Sequence, residues 1–492
     1  MRIAIIGMGI AGGSTLRALY EQKAVRPHDE IHVYEDRQAL GVGLPYQPDD
    51  ERLLLNSFSQ AVSLNADDPD DYVKFLERHY PGRFKTYEFT PRMIFGEYAQ
   101  TLFLPYLKQK EVKLIRERVT SVVPFPETAD SKQVTYRLQT AKGSSDYDAV
   151  FLACGHPPYA DYYGLKGQPG YIHEPFPVST LLNQIDPNCD RVGIVGSSLT
   201  ALDVMEYLQE NAEWRYPITF FTRHEPFATV KDQLYEGDEV VFSLDETWLA
   251  QNRDAAGQIT LQAALDQMQQ DFTWSGIDLS YILENYQSGS LGEIKQQLQQ
   301  TDEQLLKFQY YIAVLSEHLT ALVHALEMGD RNEFFEKYRP WYEYFHVQLP
   351  RVKMQKIWDW YLAGKVRFVR DLKTITPRAK RGVVVKTAAQ RTYQADVLVN
   401  ATGFETRLVE ATKVDPLIQS LFAADLLMPS PQQDVAITWP GSQPISRTYG
   451  VAPNLYMSGF WIGSTQYPNN NVQRTAQQGE RMVASFKKNN LR

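Results

Sequence analysis

The sequence is poor in cysteine, in clustered positive charge and in long apolar runs. Cys154 and Cys189 are the only cysteines among 492 residues, which excludes a disulfide framework and a Cys-x-x-Cys redox pair. The formal net charge is −9 and the one short basic run is Arg378-Ala-Lys-Arg381, so neither nucleic acid nor an anionic membrane is expected as a partner. No apolar run is long enough to span a bilayer, and the first strand begins without a signal-peptide pattern. We therefore expect a cytoplasmic protein.

The rest of the composition is that of a globular protein. Hydrophobic residues make up 43% and charged residues 22% of the chain, which suffices for two or three domains with buried cores and argues against disorder. No metal site is predicted, because the histidines do not lie at metal-ligand spacing from cysteines or carboxylates. The four nearest to the motifs below are His156, His173, His224 and His346.

A βαβ unit opens the chain. Arg2–Ile6 has the pattern of a buried parallel strand, Ala11–Glu21 that of a helix, and Ile31–Glu35 that of the next strand. Two antiparallel strands of a side sheet, five further strands and a closing helix are predicted after it. They are Lys113–Pro124 and Gln133–Thr140, then Ala149–Cys154, Val366–Val369, Gly382–Lys386, Val397–Asn400 and Leu455–Ser458, and finally Val472–Lys487.

The first loop of this unit has the glycine pattern of a dinucleotide site. Gly7 permits the tight turn, Gly9 lets the backbone approach a pyrophosphate, and Gly12, with Gly13 beside it, lets helix and strand pack closely. The free N–H groups at the start of the helix then bind phosphate. Glu35, at the end of the second strand, is placed to accept hydrogen bonds from a ribose.

A second βαβ unit begins at Arg191. Its loop reads Gly196-Ser-Ser198-Leu-Thr-Ala201, with small residues at the second and third glycine positions, and Arg223 follows its second strand. An arginine there suits the 2′-phosphate of NADPH, whereas an acidic residue suits NADH. The same pattern also fits a unit that has lost its nucleotide and keeps Arg223 as a surface charge.

Between residues 258 and 364 the pattern becomes helical. Apolar residues recur at helical spacing, for instance Leu261, Leu265 and Met268 or Leu315, Leu319 and Leu322, and such stripes are typical of core packing. Breaks are expected near Ser288–Gly292 and Gly329–Asp330. The predicted fold class is α/β, with two Rossmann-like dinucleotide-binding domains and a helical insertion. We expect a discontinuous first domain (1–160 and 370–492), a second domain (161–257), and the insertion with a return to the first domain (258–369).

Seven segments carry a family resemblance. They are Gly7–Gly13, Gly41–Tyr46, Leu54–Asn56, Pro91–Tyr98, Ala153–Pro157, Gly196–Asp203 and Ala401–Gly403. With them the chain resembles the FAD-NAD(P)-binding proteins related to class B flavin monooxygenases and ornithine/lysine N-hydroxylases, over nearly all its length outside the helical insertion. The resemblance implies FAD in the first domain and NADP, as NADPH, in the second.

The resemblance also implies particular site residues. Tyr46, Asn56 and Arg92 are the implied flavin contacts, and Gly155 and Gly403 end the strands at which the chain crosses between domains. A further glycine near the flavin is Gly459, which Phe460 follows where many such flavoproteins have an aspartate. Cys154, in the usual threonine position, is expected to be a buried small residue rather than a reactive thiol.

The implied activity is that of a monooxygenase on a small molecule. NADPH delivers hydride to the flavin N5, oxygen reacts at C4a, and the C4a-(hydro)peroxyflavin acts on the substrate. His173 follows Gly167 at a longer spacing than the class B fingerprint has, so Baeyer–Villiger activity is not expected. Two alternatives remain open. One is an NAD(P)H-dependent reductase or dehydrogenase without oxygen insertion, and the other is a non-catalytic flavin-binding regulatory protein.

Overall fold

The protein is described by a computed structural model that covers residues 1–85, 88–125, 134–225, 227–231, 239–468 and 471–490. The strands are β1 Arg2–Ile6, β2 Glu30–Tyr34, β3 Val112–Ile115, β4 Val119–Phe125, β5 Thr135–Thr140, β6 Gly143–Tyr147, β7 Ala149–Leu152, β8 Tyr171–Ile172, β9 Val192–Val195, β10 Ile218–Phe221, β11 Val230–Lys231, β12 Leu349–Pro350, β13 Val366–Val369, β14 Leu372–Pro377, β15 Val383–Thr387, β16 Thr392–Ala395, β17 Val397–Asn400, β18 Ile445–Ser446, β19 Gly450–Val451 and β20 Leu455–Met457.

The helices α1 to α15 lie between these strands and α16 follows the last of them, and a π-helical turn, Phe334–Tyr338, joins two of the helices. They are α1 Ile10–Glu21, α2 Asp71–His79, α3 Arg92–Leu107, α4 Leu181–Gln184, α5 Leu199–Asn211, α6 Glu246–Asn252, α7 Leu261–Ser275, α8 Leu279–Tyr286, α9 Leu291–Gln299, α10 Glu303–Ala325, α11 Met328–Glu333, α12 Arg339–His346, α13 Arg351–Leu362, α14 Leu408–Ala411, α15 Pro416–Ala423 and α16 Val472–Asn490.

The chain folds into two compact units. The first consists of Met1–Pro158 and Phe404–Arg492, and the second of Tyr159–Gly403. Residues 370–403, expected with the first domain, lie in the second unit because β17 pairs in parallel with β9, Leu398 opposite Gly193. The helical residues after 258 also belong to the second unit.

A five-stranded parallel sheet of order β20-β7-β1-β2-β3 forms the centre of the first unit. Side chains alternate between its two faces, as they must in a strand. Ile3 and Ile5 pack with residues of α1, α3 and α16, whereas Ala4 and Ile6 pack on the opposite side with residues of the antiparallel sheet β4-β5-β6. The predicted single strand Lys113–Pro124 is two strands, because β3 belongs to the parallel sheet and β4 to the antiparallel one. In the next predicted strand, Gln133 lies outside the described residues.

The second unit repeats this plan. Its parallel sheet has the order β13-β10-β9-β17-β8, and β14-β15-β16 form its antiparallel sheet. Helices α6 to α12 lie in the chain between β10 and α13, so the helical segment occupies the place that residues 35–91 have between β2 and α3. The predicted α/β class with two Rossmann-like sheets is confirmed. The expected break near Gly329 lies earlier, at Leu326 and Glu327, between α10 and α11.

Candidate functional site

The first glycine loop is built by close backbone approaches. Gly7 has a φ of +100°, and a Cβ there would lie 2.2 Å from the Ala153 carbonyl oxygen at the end of β7. A Cβ at Gly12 would lie 1.9 Å from the Gly7 carbonyl oxygen. At Gly9 a Cβ would lie 3.1 Å from the Cα of Gly43. A side chain therefore cannot be accommodated at Gly7 or Gly12 and would be tightly packed at Gly9, which leaves the backbone of the loop open to a ligand.

Glu35, the residue after β2, is hydrogen-bonded to this loop. Its carboxylate accepts hydrogen bonds from the backbone N–H of Met8 at 2.8 Å and of Arg37 at 3.0 Å. Helix α1 begins at the loop with Gly9 as its N-cap, and no side chain caps it. The N–H groups of the first turn, with the positive end of the helix dipole, are thus available to an anion.

A cavity of about 260 Å³ lies against this loop, within the first unit. Six of the predicted site residues line it, namely Gly7, Gly9, Glu35, Tyr46, Gly155 and Gly459. Further lining residues were not predicted, among them Arg37, Arg118, His156, Phe460, Asn471 and Thr475. The wall therefore combines the glycine loop, the ends of β2 and β7, and the start of α16.

Two titratable side chains of the wall, His156 and Tyr46, are neutral near neutral pH. Burial lowers the pKa of His156 to about 4, helped by the positive charge of Arg37. The His156 ring lies 4.6 Å from the Phe404 ring and 5.0 Å from the Phe460 ring, centre to centre. Burial also raises the pKa of the Tyr46 hydroxyl to about 12.

Cys154 lies in the same wall. Burial, with a smaller contribution from Asp415, raises the pKa of its thiol to about 12. A thiol that stays protonated is a poor nucleophile. The thiol is half-buried rather than buried, and its low reactivity stays a prediction.

Four predicted residues of the first unit lie outside the cavity wall. Gly12 and Gly13 act through packing, since a Cβ at Gly13 would lie 2.4 Å from the Phe103 ring. The Arg92 Nε donates to the Leu54 carbonyl oxygen at 2.9 Å. Asn56 is exposed.

The second glycine loop repeats the backbone of the first. Gly196 has a φ of +109°, and a Cβ there would lie 2.4 Å from the Ala401 carbonyl oxygen. Its N–H donates to the Phe221 carbonyl at 3.0 Å, as Gly7 donates to Tyr34 at 2.8 Å. Ser198, with φ −84° and ψ −171°, takes the place and the conformation of Gly9.

The two units differ where the second strand ends. By these hydrogen bonds Thr222 stands in the position of Glu35, and its hydroxyl donates to the His224 carbonyl at 2.7 Å. Arg223, the next residue, is exposed, and its guanidinium lies 6.0 Å from the Tyr162 ring centre. Gly403 follows β17 with a φ of +89°, and its carbonyl accepts from the Ala160 N–H at 3.0 Å.

Comparison with known proteins agrees with this geometry. Residues 4–157 match a family model described as FAD-NAD(P)-binding. They form an FAD-NAD(P)-binding domain. No curated protein sequence matches the chain significantly. Among the described residues, no helix has the length and apolar character needed to cross a membrane, and no three His, Cys, Asp or Glu side chains converge as metal ligands.

Solved structures similar to the chain share its fold along its whole length. The reduced ornithine hydroxylase of Pseudomonas aeruginosa is 14% identical, with 99% of both chains covered and a TM-score of 0.64. The L-lysine 6-monooxygenase of Pseudomonas syringae is 14% identical, with 99% of both covered and a TM-score of 0.60. The ornithine N-hydroxylase of Kutzneria sp. 744, with reduced FAD, NADP⁺ and L-ornithine, is 14% identical, covers 99% of this chain and 98% of its own, and has a TM-score of 0.58.

The cavity of the first unit suits a dinucleotide. The glycine cradle and the uncapped start of α1 suit a pyrophosphate. The Glu35 carboxylate, held by two backbone N–H groups, suits ribose hydroxyls. The neutral wall at Tyr46 and His156 suits an uncharged ring system.

Proposed function

We propose that the chain is an FAD-dependent monooxygenase that uses NADPH and acts on a small molecule. One observation carries the proposal. The chain holds two units with the same strand order and the same first-glycine contact, Gly7 to Ala153 and Gly196 to Ala401. The first of these loops faces a cavity of dinucleotide character. A protein with two dinucleotide loops is equipped to pass electrons from one nucleotide to the other.

The first unit binds FAD in this proposal. The Gly7–Gly12 loop and the start of α1 hold the pyrophosphate, and Glu35 holds the ribose. Tyr46, His156 and Phe460 line the rest of the cavity, and Phe404 packs against the His156 ring. FAD supplies the redox chemistry once bound, and the chain supplies position and electrostatics.

The second unit binds NADPH rather than NADH. No acid stands at the position of Glu35, so nothing there repels a 2′-phosphate. Arg223, exposed beside Tyr162, has its charge available for that phosphate. Ser198 and Gly196 place the N–H groups of α5 toward the pyrophosphate, because their backbone matches that of the first loop.

Two observations favour oxygen chemistry over thiol chemistry. Solved proteins with this fold over their full length are named as hydroxylases of ornithine and as a lysine monooxygenase, which supports a small amine or amino acid as substrate. The thiol in the cavity wall, Cys154, is protonated because its pKa is about 12.

With two free thiols in the chain, we also place the protein in the cytoplasm, which cell fractionation tests.

The test is an absorbance spectrum of the purified protein before and after anaerobic NADPH. We expect the bands of oxidised flavin and their bleaching by NADPH, followed in air by reoxidation with release of hydrogen peroxide when no substrate is present. Flavin that bleaches but does not react with oxygen identifies the reductase alternative. Flavin that stays oxidised with both NADPH and NADH identifies a binding protein without electron transfer.

A matched pair of variants tests the flavin site. Gly9→Ala places a methyl group 3.1 Å from the Cα of Gly43 without straining φ, whereas Gly329→Ala places one in open space. Losing one backbone hydrogen bond to a charged phosphate costs about 1.5–3 kcal/mol, so Gly9→Ala is expected to weaken FAD binding roughly 10- to 100-fold. Gly329→Ala is expected to leave the flavin content unchanged. Equal flavin content in both variants would place FAD elsewhere.

A further inference from the structure

An open cleft lies at the carboxyl ends of β10 and β13, wholly within the second unit. Its volume of about 550 Å³ falls within the range of small-molecule sites, about 300–1,000 Å³. The loops after the two strands, the segment between α8 and α9, and α12 form its walls. Among the lining residues are His224, Glu225, Phe227, Tyr344, Arg370 and Asp371. Ligands of open α/β sheets bind outside the carboxyl ends of parallel strands, as this cleft does.

Backbone hydrogen bonds align the cleft with the cavity of the first unit. The Glu35 N–H donates to the Ile115 carbonyl, at the end of β3, at 3.1 Å. In the second unit the Thr222 N–H donates to the Val369 carbonyl, at the end of β13, at 2.9 Å. Since Thr222 stands in the position of Glu35, Val369 stands in the position of Ile115.

Two pairs of equivalent residues then line the two cavities. Counted onward from these hydrogen bonds, His224 corresponds to Arg37 and Asp371 corresponds to Glu117. Arg37 and Glu117 line the cavity of the first unit, and their counterparts line the cleft. The cleft is therefore equivalent to the end of the first cavity at which, in the proposed function, Glu35 holds the FAD ribose. In NADPH that end of the dinucleotide carries the 2′-phosphate.

Arg370 supplies a positive charge to the wall of the cleft. Its side chain is 61% exposed, and its Nη1 pairs closely with the Glu225 carboxylate. Its Nε lies 3.9 Å from the Asp371 carboxylate, which is too far for a hydrogen bond. Because a guanidinium has five N–H donors, Arg370 keeps donors for a phosphate while it is paired with Glu225.

The pair with Glu225 does not prevent phosphate binding. An exposed ion pair changes an equilibrium constant at most about fivefold. A hydrogen bond to a charged phosphate changes it roughly 10- to 100-fold. Glu225 therefore weakens an anion site at Arg370, because its carboxylate partly neutralises the guanidinium, but does not abolish that site.

We propose that Arg370 binds the 2′-phosphate of NADPH together with Arg223, and that the cleft takes the adenosine end of the nucleotide. This inference rests on the proposed assignment of NADPH to the second unit. Arg223 and Arg370 follow β10 and β13, which are parallel neighbours, so both residues lie at the same edge of the sheet. The Tyr344 ring in the cleft wall offers the adenine an aromatic surface.

Adenosine 2′,5′-bisphosphate and adenosine 5′-phosphate are suitable probes, because they differ only in the 2′-phosphate. Each is titrated into the purified full-length protein in a calorimeter. We expect the unaltered protein to bind the bisphosphate at least tenfold more tightly than the monophosphate. Equal binding of the two, or binding of neither, overturns both the NADPH assignment and the role of Arg370.

Arg370→Ala and Arg367→Ala are a matched pair of variants. Arg367 is also exposed and lies on β13, but it does not line the cleft. We expect Arg370→Ala to weaken binding of the bisphosphate roughly 10- to 100-fold and to leave binding of the monophosphate unchanged. Arg367→Ala is expected to change neither. A preference for the bisphosphate that survives Arg370→Ala overturns the role of Arg370 and leaves the NADPH assignment to Arg223.

A Glu225→Gln background separates direct binding from charge neutralisation. Glu225→Gln alone is expected to tighten binding of the bisphosphate by up to about fivefold, because the paired carboxylate is removed. Adding Arg370→Ala in this background is expected to weaken it at least tenfold. If the second change has no effect there, Arg370 only neutralises Glu225 and the proposal is overturned. Weaker binding of the bisphosphate by Glu225→Gln alone contradicts the opposing effect of Glu225.

Discussion

Replacing Lys353 tests how the second glycine loop is held. Lys353 of α13 is 3% exposed at its side chain and lies between Asp203 and Glu206 of α5, 1% and 6% exposed. Its ammonium lies 3.2 Å from Glu206 and also pairs closely with Asp203. Lys353→Met keeps the length and apolar stem of the side chain but removes the charge, so the buried Asp203 carboxylate loses its lysine. Removing one partner of a buried ion pair costs about 3–5 kcal/mol.

Lys356→Met is the matched control. Lys356 pairs with Glu206 and Glu210, both at 2.8 Å, but is 44% exposed at its side chain. Water screens such a pair, and its loss costs roughly 0–1 kcal/mol. The loss of stability expected for Lys353→Met is thus several times that expected for Lys356→Met, although both lysines make two ion pairs with the same helix.

Native-state hydrogen exchange of the α5 amides is the suitable assay, because a chain of two units need not unfold in one transition. Lys353→Met is expected to lower the opening free energy of α5 by about 3–5 kcal/mol, and adding Asp203→Asn is expected to recover part of the loss. Equal effects of Lys353→Met and Lys356→Met, or an effect of Lys353→Met below about 1 kcal/mol, would refute the reasoning.

Three further predictions follow from the sites. Arg223→Ala is expected to weaken NADPH binding roughly 10- to 100-fold and to change NADH binding little. The exposed Arg215→Ala is the control. Equal losses for both nucleotides would contradict the assignment of Arg223 as the residue that binds the 2′-phosphate. The folded-state pKa of His156, about 4, lies below its ordinary 6.5, so as pH falls from 6.5 towards 4 the unfolded chain gains a proton first and stability is lost. His156→Phe is expected to show a shallower fall in unfolding free energy over that range, and an unchanged slope would contradict the buried neutral ring. In a Cys189→Ala background, alkylation of Cys154 is expected to be slow at pH 7 and to rise without a plateau up to pH 9, because its thiol pKa is about 12; a plateau near neutral pH would contradict this value.

The sequence specified the local part of the fold. An apolar strand followed directly by a glycine is a pattern of a few consecutive residues. The loops at Gly7 and Gly196, where the glycine has a positive φ, could therefore be placed from the sequence pattern alone. The boundary expected at residue 370 depends instead on which sheet β17 joins. Its partner β9 lies some 200 residues earlier, and no feature near Val397 identifies that partner.

In the wall of the first cavity, too, some residues could be predicted from local sequence and others depend on distant parts of the chain. Glu35 could be predicted because it lies at a fixed distance along the chain from the glycine loop. No such spacing rule identifies His156, because its ring packs against Phe404 and Phe460, which only the folded chain brings next to it. Asn471 could have been found as a helix cap, because its side chain accepts from the N–H groups of Gln473 and Arg474 at the start of α16.

The repeat within the chain explains why Arg223 is expected to contribute more to nucleotide binding than the second glycine loop does. The first-glycine contact is the same in both units, but Ala201 has a methyl group at the position of Gly12, where a Cβ would lie 1.9 Å from the preceding loop carbonyl. We therefore expect the methyl group of Ala201 to allow a less close approach of α5 to its loop. On that expectation the second loop would give a pyrophosphate weaker hydrogen bonds, and Thr222 stands where Glu35 would hold a ribose. We therefore expect much of the binding energy of the second nucleotide to come from the exposed charge of Arg223 acting on the 2′-phosphate.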